Sequence, residues 1–434
     1  MRYRAGILAL SLSAVPSFAM EFGADPVFPI HDYDRVELGW LLFYDPILSG
    51  NRNISCATCH HPNLNTADGV ALSLGEGGIG LGPERKADPN NLPEQRIPRN
   101  APALFNLGAT QFDVMFHDGR LEADASRPGG MRTPLGEDMV SGFDSVLSAQ
   151  AMFPVLSADE MAGHYSENEI SQAVRLGQLS GPDGAWDLIS KRVRDFPEYR
   201  ERFAKTIGAD KQIAFTDIAN ALASFIAVEW RADDSRFDQF LAGSAELSPK
   251  ERRGLVIFYS ERNCASCHSG RFQTDHGFHA IGLPQFGPGK AARFENHNND
   301  VGRGRVTGEA ADFHKFRTPS LRNVTLTAPY GHNGAIPSLE AMIRHHGDAA
   351  SSFAAFDRQQ VILPSFSAVN DWAELENPNS KPDILLANEL DADPFTDQEV
   401  DDLIAFLETL TDVSWRSEGL GVPESVPSGL PIDR

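Results

Sequence analysis

The strings Cys56-Ala57-Thr58-Cys59-His60 and Cys264-Ala265-Ser266-Cys267-His268 contain every cysteine of this 434-residue chain. Both strings have the form Cys-x-x-Cys-His, which is the attachment signature of c-type haem. Two thiols three positions apart can each form a thioether to a haem vinyl group, and the adjacent histidine then reaches the iron as proximal ligand. The sequence therefore predicts redox chemistry and two covalently bound haems, with His60 and His268 as proximal ligands.

Other uses of the four thiols fit this pattern less well. A zinc site usually draws its cysteines and histidines from one compact segment, whereas position 264 follows position 56 by 208 residues. Two small disulfides, or two thioredoxin-like redox pairs, would account for the cysteines. Neither explains why a histidine directly follows each second cysteine.

The first residues indicate export from the cytoplasm. Arg2 and Arg4 precede an apolar run from Ala5 to Val15, and Ser17-Phe18-Ala19 offers a small-x-small cleavage site. This pattern predicts a signal peptide over residues 1–19 and a periplasmic location. The apolar run is too short to cross a bilayer and no later segment approaches its length, so we expect no membrane span.

The net charge is strongly negative. It is −22 for the whole chain, and removing the two arginines of the signal peptide would make it −24. Nucleic acid and anionic membrane surfaces are therefore poor partners, whereas a basic partner would be attracted. An acidic surface that only keeps an exported protein soluble is an equally good interpretation.

Helix start signals predict a mainly α-helical fold. Ser248-Pro249-Lys250-Glu251 is a capping box with proline at the first helical position, and Thr396-Asp397-Gln398-Glu399 is a second box. The apolar residues after the second box follow helical spacing; they are Val400, Leu403, Ile404, Leu407 and Leu410. Another helix is predicted from Val36 to Tyr44, ending at Asp45-Pro46.

The order of helix, haem motif and long loop occurs twice along the chain. We therefore predict two cytochrome c-like domains with one haem each, an N-terminal domain over residues 20–243 and a C-terminal domain over residues 244–434. The boundary falls in a short linker near 241–247. The Gly-, Pro- and Asn-rich loop over 62–102 is long enough to suggest a functional role.

Beyond these motifs, the sequence resembles the bacterial di-haem cytochrome c peroxidases and their MauG-like relatives, from about Leu38 to Leu410. The matching segments are 44–50, 116–120, 150–154 with 160–161, 306–308, 317–323 and 326–334. The resemblance implies two mainly helical cytochrome c-like domains. It also implies that one haem reacts with peroxide and the other stores or relays electrons.

The resemblance places peroxide chemistry at the N-terminal haem. In many peroxidases of the family a histidine in the following loop binds this iron at rest. Here Glu76 stands at that position, and no histidine occurs between His61 and His117. The resemblance therefore implies a five-coordinate iron that is open at rest, as in the MauG branch.

Peroxide cleavage also requires a distal base that moves a proton from one oxygen to the other. The resemblance assigns Gln150, Pro154 and Glu160 to the distal side of this haem, with Glu160 as the acid-base group. Asp159 is the alternative. A solvated acidic helix start at these two positions would give the same sequence pattern.

For the second haem, the resemblance places the other axial ligand at His346, where ordinary peroxidases have methionine and MauG has tyrosine. Helical spacing supports the choice, because His346 shares one face with Leu339, Met342 and Ile343, whereas His345 does not. A histidine in place of methionine would lower the reduction potential. Such a haem favours storage of oxidising equivalents, as in MauG.

Two further positions follow from the resemblance. His117 stands where the family usually has a tryptophan between the haems, so another aromatic residue or a weaker coupling is implied. The family also binds calcium near both haems, and the corresponding ligands are the Asn100 side chain and the carbonyls of Thr327 and Pro329. Oxygen ligands of this type suit calcium.

The leading functional expectation is a periplasmic di-haem peroxidase that reduces hydrogen peroxide with electrons from a small redox protein, a cytochrome c or a cupredoxin. The first alternative is a MauG-like or MbnH-like enzyme that uses peroxide to oxidise a Trp or Tyr of a partner protein. The second is a non-catalytic electron carrier with both irons fully coordinated. That carrier requires a sixth ligand on the first iron, for which His117 is the candidate.

Overall fold

The computed structural model describes residues 22–290, 295 and 297–434. The signal peptide predicted over residues 1–19 lies outside this part of the chain. Helices dominate the described residues, as the capping signals predicted. In the first half the helices are α1 (Tyr33–Tyr44), α2 (Cys56–Cys59), α3 (Val146–Gln150), α4 (Glu169–Arg175), α5 (Ala185–Asp195), α6 (Pro197–Ile207) and α7 (Phe215–Glu229). In the second half they are α8 (Arg236–Leu241), α9 (Pro249–Val256), α10 (Gly304–Thr307), α11 (Leu339–Gly347), α12 (Ala349–Ala354), α13 (Ser380–Ala387), α14 (Asp397–Glu408) and α15 (Trp415–Glu418).

Short antiparallel strands make up the small β component. Their bounds are β1 (Gly78–Ile79), β2 (Lys86–Ala87), β3 (Val114–Met115), β4 (Leu121–Ala123), β5 (Met131–Arg132), β6 (Phe278–His279) and β7 (Phe316–Arg317). β1 pairs with β2, β4 lies between β3 and β5, and β6 pairs with β7. These strands lie in the loops that connect the helices, and the fold of the described residues is mainly α.

The predicted helix starts are present in the structure. Ser248 and Glu251 bond to each other's backbone N–H at the start of α9, and Thr396 and Glu399 do the same at the start of α14. Helix α1 ends at Tyr44, and the side chain of the next residue, Asp45, accepts the N–H of Ile47 at 2.9 Å at the start of the short helix Pro46–Leu48. Each of these caps satisfies backbone groups that the helix leaves without partners.

The buried apolar residues form two cores. The first contains α1 packed on α7, together with α3, α5 and α6, and the second contains α9 packed on α14. Ala232 belongs to the first core and Phe237 to the second, so the chain changes core just before α8. Ala71 and Leu72 are exceptions, since they come from the long loop of the first half and pack in the second core.

The C-terminal tail returns to the first core. Trp415 and Val426 are buried in it, and the backbone N–H groups of Leu420 and Gly421 donate to Glu229 at the end of α7. Near the end of the chain, Asp433 accepts a hydrogen bond from Thr58 Oγ1 at 2.6 Å. The tail therefore covers the first Cys-x-x-Cys-His string.

No helix in the described part of the chain combines the length and apolarity needed to cross a membrane.

Candidate active site

One cavity brings the first Cys-x-x-Cys-His string together with the residues predicted for its distal side. The lining includes His60 with both adjacent cysteines, and also Gln150, Pro154 and Glu160. About 1340 Å³ of space in this cavity is free of protein atoms, part of it open to solvent. Phe43 and Phe116 contribute aromatic rings to the lining. A large, mainly apolar cavity with a few polar groups is typical of a cofactor site.

His60 is oriented as a metal ligand would be. Its Nδ1 donates to the carbonyl of Thr66 at 2.9 Å, and this bond fixes the tautomer, because a carbonyl can only accept. The other ring nitrogen, Nε2, is then an unprotonated acceptor, which is the form that binds iron. Cys56 and Cys59 form α2 directly before it, and burial raises the pKa of both thiols to about 12.

Glu160 lies on a single π-helical turn, Ala158–Ala162. Three successive backbone N–H groups of this turn, those of residues 160, 161 and 162, donate to the carbonyl of Ser157. Such π-turns occur frequently at functional sites. Burial raises the pKa of Glu160, while the positive charges of Lys290 and Arg120 oppose the rise. The carboxyl group therefore keeps its proton to a higher pH than an exposed glutamate does.

The geometry favours Glu160 over Asp159 as the acid-base group. Asp159 does not line the cavity, and its Oδ2 accepts a hydrogen bond from Gln95 Nε2 at 2.7 Å. Gln150 does line the cavity, and its buried Oε1 has no hydrogen-bond partner in the described residues. A buried oxygen without a partner is costly, so this atom is available to a ligand in the cavity.

Two cations in the cavity were not predicted. Arg120 and Lys290 both line it, and burial, followed by the charge of Arg120, lowers the pKa of Lys290. Lys290 comes from the second half of the chain, and no motif connects it to Glu160. Arg120 lies in segment 116–120, one of the segments that resemble the di-haem family. Nothing in the sequence predicted that it would line the same cavity as Glu160.

His268 and His346 face each other in the second half. Their ring centroids are 6.4 Å apart, and each Nδ1 bonds to a backbone carbonyl, that of Gln273 for His268 and that of Met342 for His346. Two imidazoles on opposite sides of one metal, each about 2 Å from it, have centroids roughly 6 Å apart. The pair therefore has the spacing of two axial ligands.

His345 is not oriented toward this position. Its Nδ1 lies 2.9 Å from Ser352 Oγ, and its Nε2 lies 2.6 Å from the carbonyl of Ile281. Both ring nitrogens are therefore engaged by protein groups. His345 is itself fully buried, so its two hydrogen bonds, and not exposure to solvent, distinguish it from His346.

His117 lines the first cavity, but its Nε2 donates to the carbonyl of Asn100 at 3.1 Å. Burial, followed by the charge of Arg99, lowers the pKa of His117 to about 4. The ring is therefore neutral at physiological pH and carries its proton on Nε2. Its other ring nitrogen, Nδ1, is then the unprotonated one.

Asn100 connects the first cavity to the loop that holds Thr327 and Pro329. Its backbone N–H donates to the carbonyl of His332 at 2.9 Å, and its side-chain amide donates to Val70 at 2.7 Å. Within the described residues, no hydrogen bond reaches Asn100 Oδ1 or the carbonyl oxygens of Thr327 and Pro329. These three oxygens are the ones predicted to hold calcium.

A buried ion-pair network joins the two halves. Arg99 lies 2.7 Å from Asp118 and 2.7 Å from Asp300. Burial alone would raise the pKa of Asp118, but Arg99 and Arg120 outweigh it and lower the pKa to about 2. The network lies between the first cavity and the second half, because Asp118 follows His117 directly.

The donor set fits two c-type haems. Each Cys-x-x-Cys-His string presents a histidine with Nε2 directed away from its backbone partner, and the first string opens into a cavity. Arg317 adds an anion-binding group, because its Nη1 is buried and has no partner in the described part of the chain. Burial lowers its pKa to about 10. A buried guanidinium without a carboxylate suits a haem propionate.

Known proteins resemble the chain over most of its length. A sequence profile described as di-haem cytochrome c peroxidase matches residues 33–246. The methylamine utilization protein MauG of Paracoccus denitrificans is 31% identical over 399 residues, which cover 86% of this chain and 88% of that protein. The cytochrome c551 peroxidase of Nitrosomonas europaea is 28% identical over 399 residues, covering 87% and 97%.

Solved structures agree with the fold. A MauG-like protein associated with microbial copper homeostasis has a TM-score of 0.57 and 26% identity, covering 93% of this chain and 97% of its own. The diheme peroxidase BthA from Burkholderia thailandensis has a TM-score of 0.60 and 21% identity, covering 94% and 92%.

Proposed function

Because this chain belongs to the di-haem cytochrome c peroxidase and MauG family, we propose that it reduces hydrogen peroxide at the His60 haem with electrons from a small redox protein. The family is one of peroxidases, so the chain is an oxidoreductase that carries two haems. The observation that supports the specific proposal is the single cavity in which Gln150 and Glu160 accompany His60.

The proposal includes how the haems are attached and where the protein works. Cys56 and Cys59 form thioethers to the first haem, and Cys264 and Cys267 to the second. His60 would bind the first iron, and His268 and His346 would bind the second. Covalent attachment of this kind accompanies export, so we place the mature protein in the periplasm after removal of residues 1–19.

Glu160 acts as the acid-base group. When bound, the haem at His60 supplies a coordination position for peroxide and electrons for cleavage of its O–O bond. The Glu160 carboxylate would take a proton from one oxygen of peroxide and return it to the other, which would leave as water. Over the full cycle, one peroxide, two electrons and two protons yield two water molecules.

Other cavity residues orient the peroxide and keep Glu160 in its working protonation state. Gln150 Oε1 accepts an O–H of the incoming peroxide, since it has no other partner in the described residues. Pro154 stands at the start of the short helix Pro154–Leu156, which precedes the π-turn of Glu160. Lys290 and Arg120 stabilise the Glu160 carboxylate form against the effect of burial.

The pairing of His268 with His346 favours a second candidate function. With histidine on both sides, the second haem has a lower potential and stores oxidising equivalents better than a haem with methionine. We therefore retain a MauG-like role, in which a Trp or Tyr of a partner protein supplies the two electrons. The third candidate, the electron carrier, would need His117 Nδ1 as the sixth ligand of the first iron, because Nε2 donates to Asn100.

The test is to mix hydrogen peroxide with the purified diferric protein, with and without reduced cytochrome c, and to record visible and near-infrared spectra. The peroxidase predicts rapid oxidation of two cytochromes per peroxide. A reaction with peroxide that is indifferent to cytochrome would select the MauG-like function. No reaction of either kind would select the electron carrier.

We also propose that calcium binds Asn100 Oδ1 and the carbonyls of Thr327 and Pro329. These oxygens belong to two loops that the Asn100–His332 hydrogen bond holds together. Hard oxygen ligands of this kind bind calcium in preference to transition metals.

A further inference from the structure

Glu76 is a buried acidic residue that does not line the cavity. It is only 1% exposed. Its Oε1 accepts hydrogen bonds from three side-chain amides, those of Asn51 at 3.0 Å, Asn53 at 2.9 Å and Asn91 at 2.7 Å. Its Oε2 is buried without a partner in the described residues. One carboxylate oxygen thus holds together two separate segments, 51–53 and the loop around 91.

The π-turn that carries Glu160 is held by donors from outside the turn. The carbonyl of Asp159 accepts the N–H of Glu76 at 3.0 Å, and the carbonyl of Met161 accepts the N–H of Gly50 at 2.7 Å. The carbonyl of Ala162 accepts the amide of Asn168 at 3.0 Å. Because buried carbonyls require partners, these three donors determine where the turn can lie.

Glu76 connects the three donors to one another. Its own backbone N–H is the first donor. Its carboxylate binds Asn51, which directly follows the second donor, Gly50. The carbonyl oxygen of the Asn51 side chain also accepts the amide of Asn168, the third donor, at 3.0 Å. Removing the carboxylate would leave Glu167 as the remaining acceptor of the Asn51 amide and would weaken the support of the turn.

The contact between the Glu76 loop and the turn leaves no free space. A Cβ atom added to Gly75 would lie 2.2 Å from the carbonyl oxygen of Asp159 and 2.8 Å from Glu160 Cα. Arg85 fixes the loop from its other side, since its guanidinium donates to the carbonyls of Leu74, Gly75 and Gly80. The loop is thus a rigid support for the backbone of Glu160.

We propose that Glu76 is a positioning residue, which fixes Glu160 in the cavity by binding Asn51, Asn53 and Asn91; this inference rests on the proposed function. Glu76 touches neither peroxide nor haem in this role. It acts through the backbone of the π-turn, so its loss lets the Glu160 carboxyl move toward solvent and away from its working position.

The test compares Glu76→Leu with Glu76→Gln. Leucine removes the acceptor, whereas glutamine keeps the oxygen that the three amides bind. We expect Glu76→Leu to lower kcat/KM for peroxide by about 10-fold to 10²-fold. We also expect the acid limb of the pH profile to move to lower pH, because Glu160 becomes more hydrated. Glu76→Gln should have the wild-type kcat/KM and the wild-type pH profile. The haem content should be the same in both variants and the wild type.

Glu229→Leu is the matched control. Glu229 is also a buried carboxylate, but it binds the N–H groups of Leu420 and Gly421 in the C-terminal tail. We expect this variant to lower Tm without moving the pH profile. If Glu76→Leu does not fold, Asn91→Leu removes the shortest of the three bonds and should shift the profile in the same direction.

Two results separate this inference from the proposed function. A wild-type pH profile and kcat/KM in Glu76→Leu, in a protein where Glu160→Gln is impaired, would overturn the role of Glu76 alone. Equal peroxide consumption by the wild type and Glu160→Gln would overturn the proposed function itself.

Discussion

His268 and His346 face each other with ring centroids 6.4 Å apart, and each donates its Nδ1–H to a backbone carbonyl. This arrangement directs both Nε2 atoms to the space between the rings, where an iron would receive one from each side. We predict that His346→Gly converts the second haem from low spin to high spin, as electron paramagnetic resonance would show. The control is His345→Ala, which should destabilise the protein but keep the low-spin signal. A high-spin signal in His345→Ala and an unchanged low-spin signal in His346→Gly would make His345 the iron ligand instead of His346.

Glu160→Gln should slow peroxide consumption by about 10²-fold or more, because the variant cannot move a proton between the two oxygens. Both haems should stay attached, as the absorption spectrum of the denatured protein would confirm. Asp159→Asn is the control, since Asp159 lies outside the cavity lining and accepts from Gln95. A larger loss in Asp159→Asn than in Glu160→Gln would reverse the two roles.

The pH dependence of peroxide consumption should respond to Lys290. Burial raises the pKa of Glu160, Lys290 and Arg120 lower it, and Asp159 raises it. Because the carboxylate is the active form, the rate falls as pH decreases through this pKa. Lys290→Met removes one stabilising charge, so the acid limb should move to higher pH. The control is Lys315→Met, which removes a lysine paired with Glu389 and should leave the acid limb where it is in the wild type. An acid limb that moves in both variants, or in neither, would refute the role of Lys290.

Asp118→Asn should reduce the acid sensitivity of folding. The pKa of Asp118 in the folded protein is about 2 instead of 3.8. A carboxyl group with a lowered pKa contributes stability that is present above pH 3.8 and is lost as pH falls through 2. That contribution corresponds to about 2 kcal/mol in the free energy of unfolding.

The measurement for Asp118→Asn is urea unfolding between pH 2 and 7. The wild type should lose this contribution between pH 4 and 2, whereas the variant should lack it at all pH values. The exposed Asp210→Asn serves as the control. If the free energy of unfolding depends on pH in the same way for the wild type and Asp118→Asn, the ion pair of Asp118 with Arg99 contributes nothing to stability.

Removal of calcium should loosen the connection between the loops of Asn100 and Thr327. We expect a chelator to lower Tm and added calcium to restore it, since bound ligand stabilises the folded state. Asn100→Leu should lower Tm without the chelator and abolish the response to calcium. If the Tm of the wild type changes with neither chelator nor calcium, the proposed calcium site is wrong.

The parts of the fold that depend on local signals could be predicted from the sequence. Ser248 and Thr396 start their helices as capping residues, because a cap is determined by residues three positions apart. The mainly α fold and membership of the di-haem family are confirmed. The return of the C-terminal tail to the first core could not be predicted, since the contact of Asp433 with Thr58 depends on tertiary structure alone.

In the candidate site, too, features set by local sequence could be predicted and features set by tertiary structure could not. The two haem strings and the face of His346 follow from spacing along the chain. Lys290 could not be predicted, because it enters the first cavity from the other half of the molecule. The sequence marks Glu76 only as the residue that replaces a histidine of the family, and its role as a support depends on three asparagines whose proximity the sequence does not reveal. The π-turn of Glu160 likewise has no known sequence signature.

The electron paramagnetic resonance spectrum of the resting diferric protein tests most directly whether the His60 iron is open while the His268 iron is coordinated on both sides. We predict one high-spin signal, from the haem beside Glu160, and one low-spin signal, from the haem between His268 and His346. Two low-spin signals in the wild type would contradict an open peroxide site at His60.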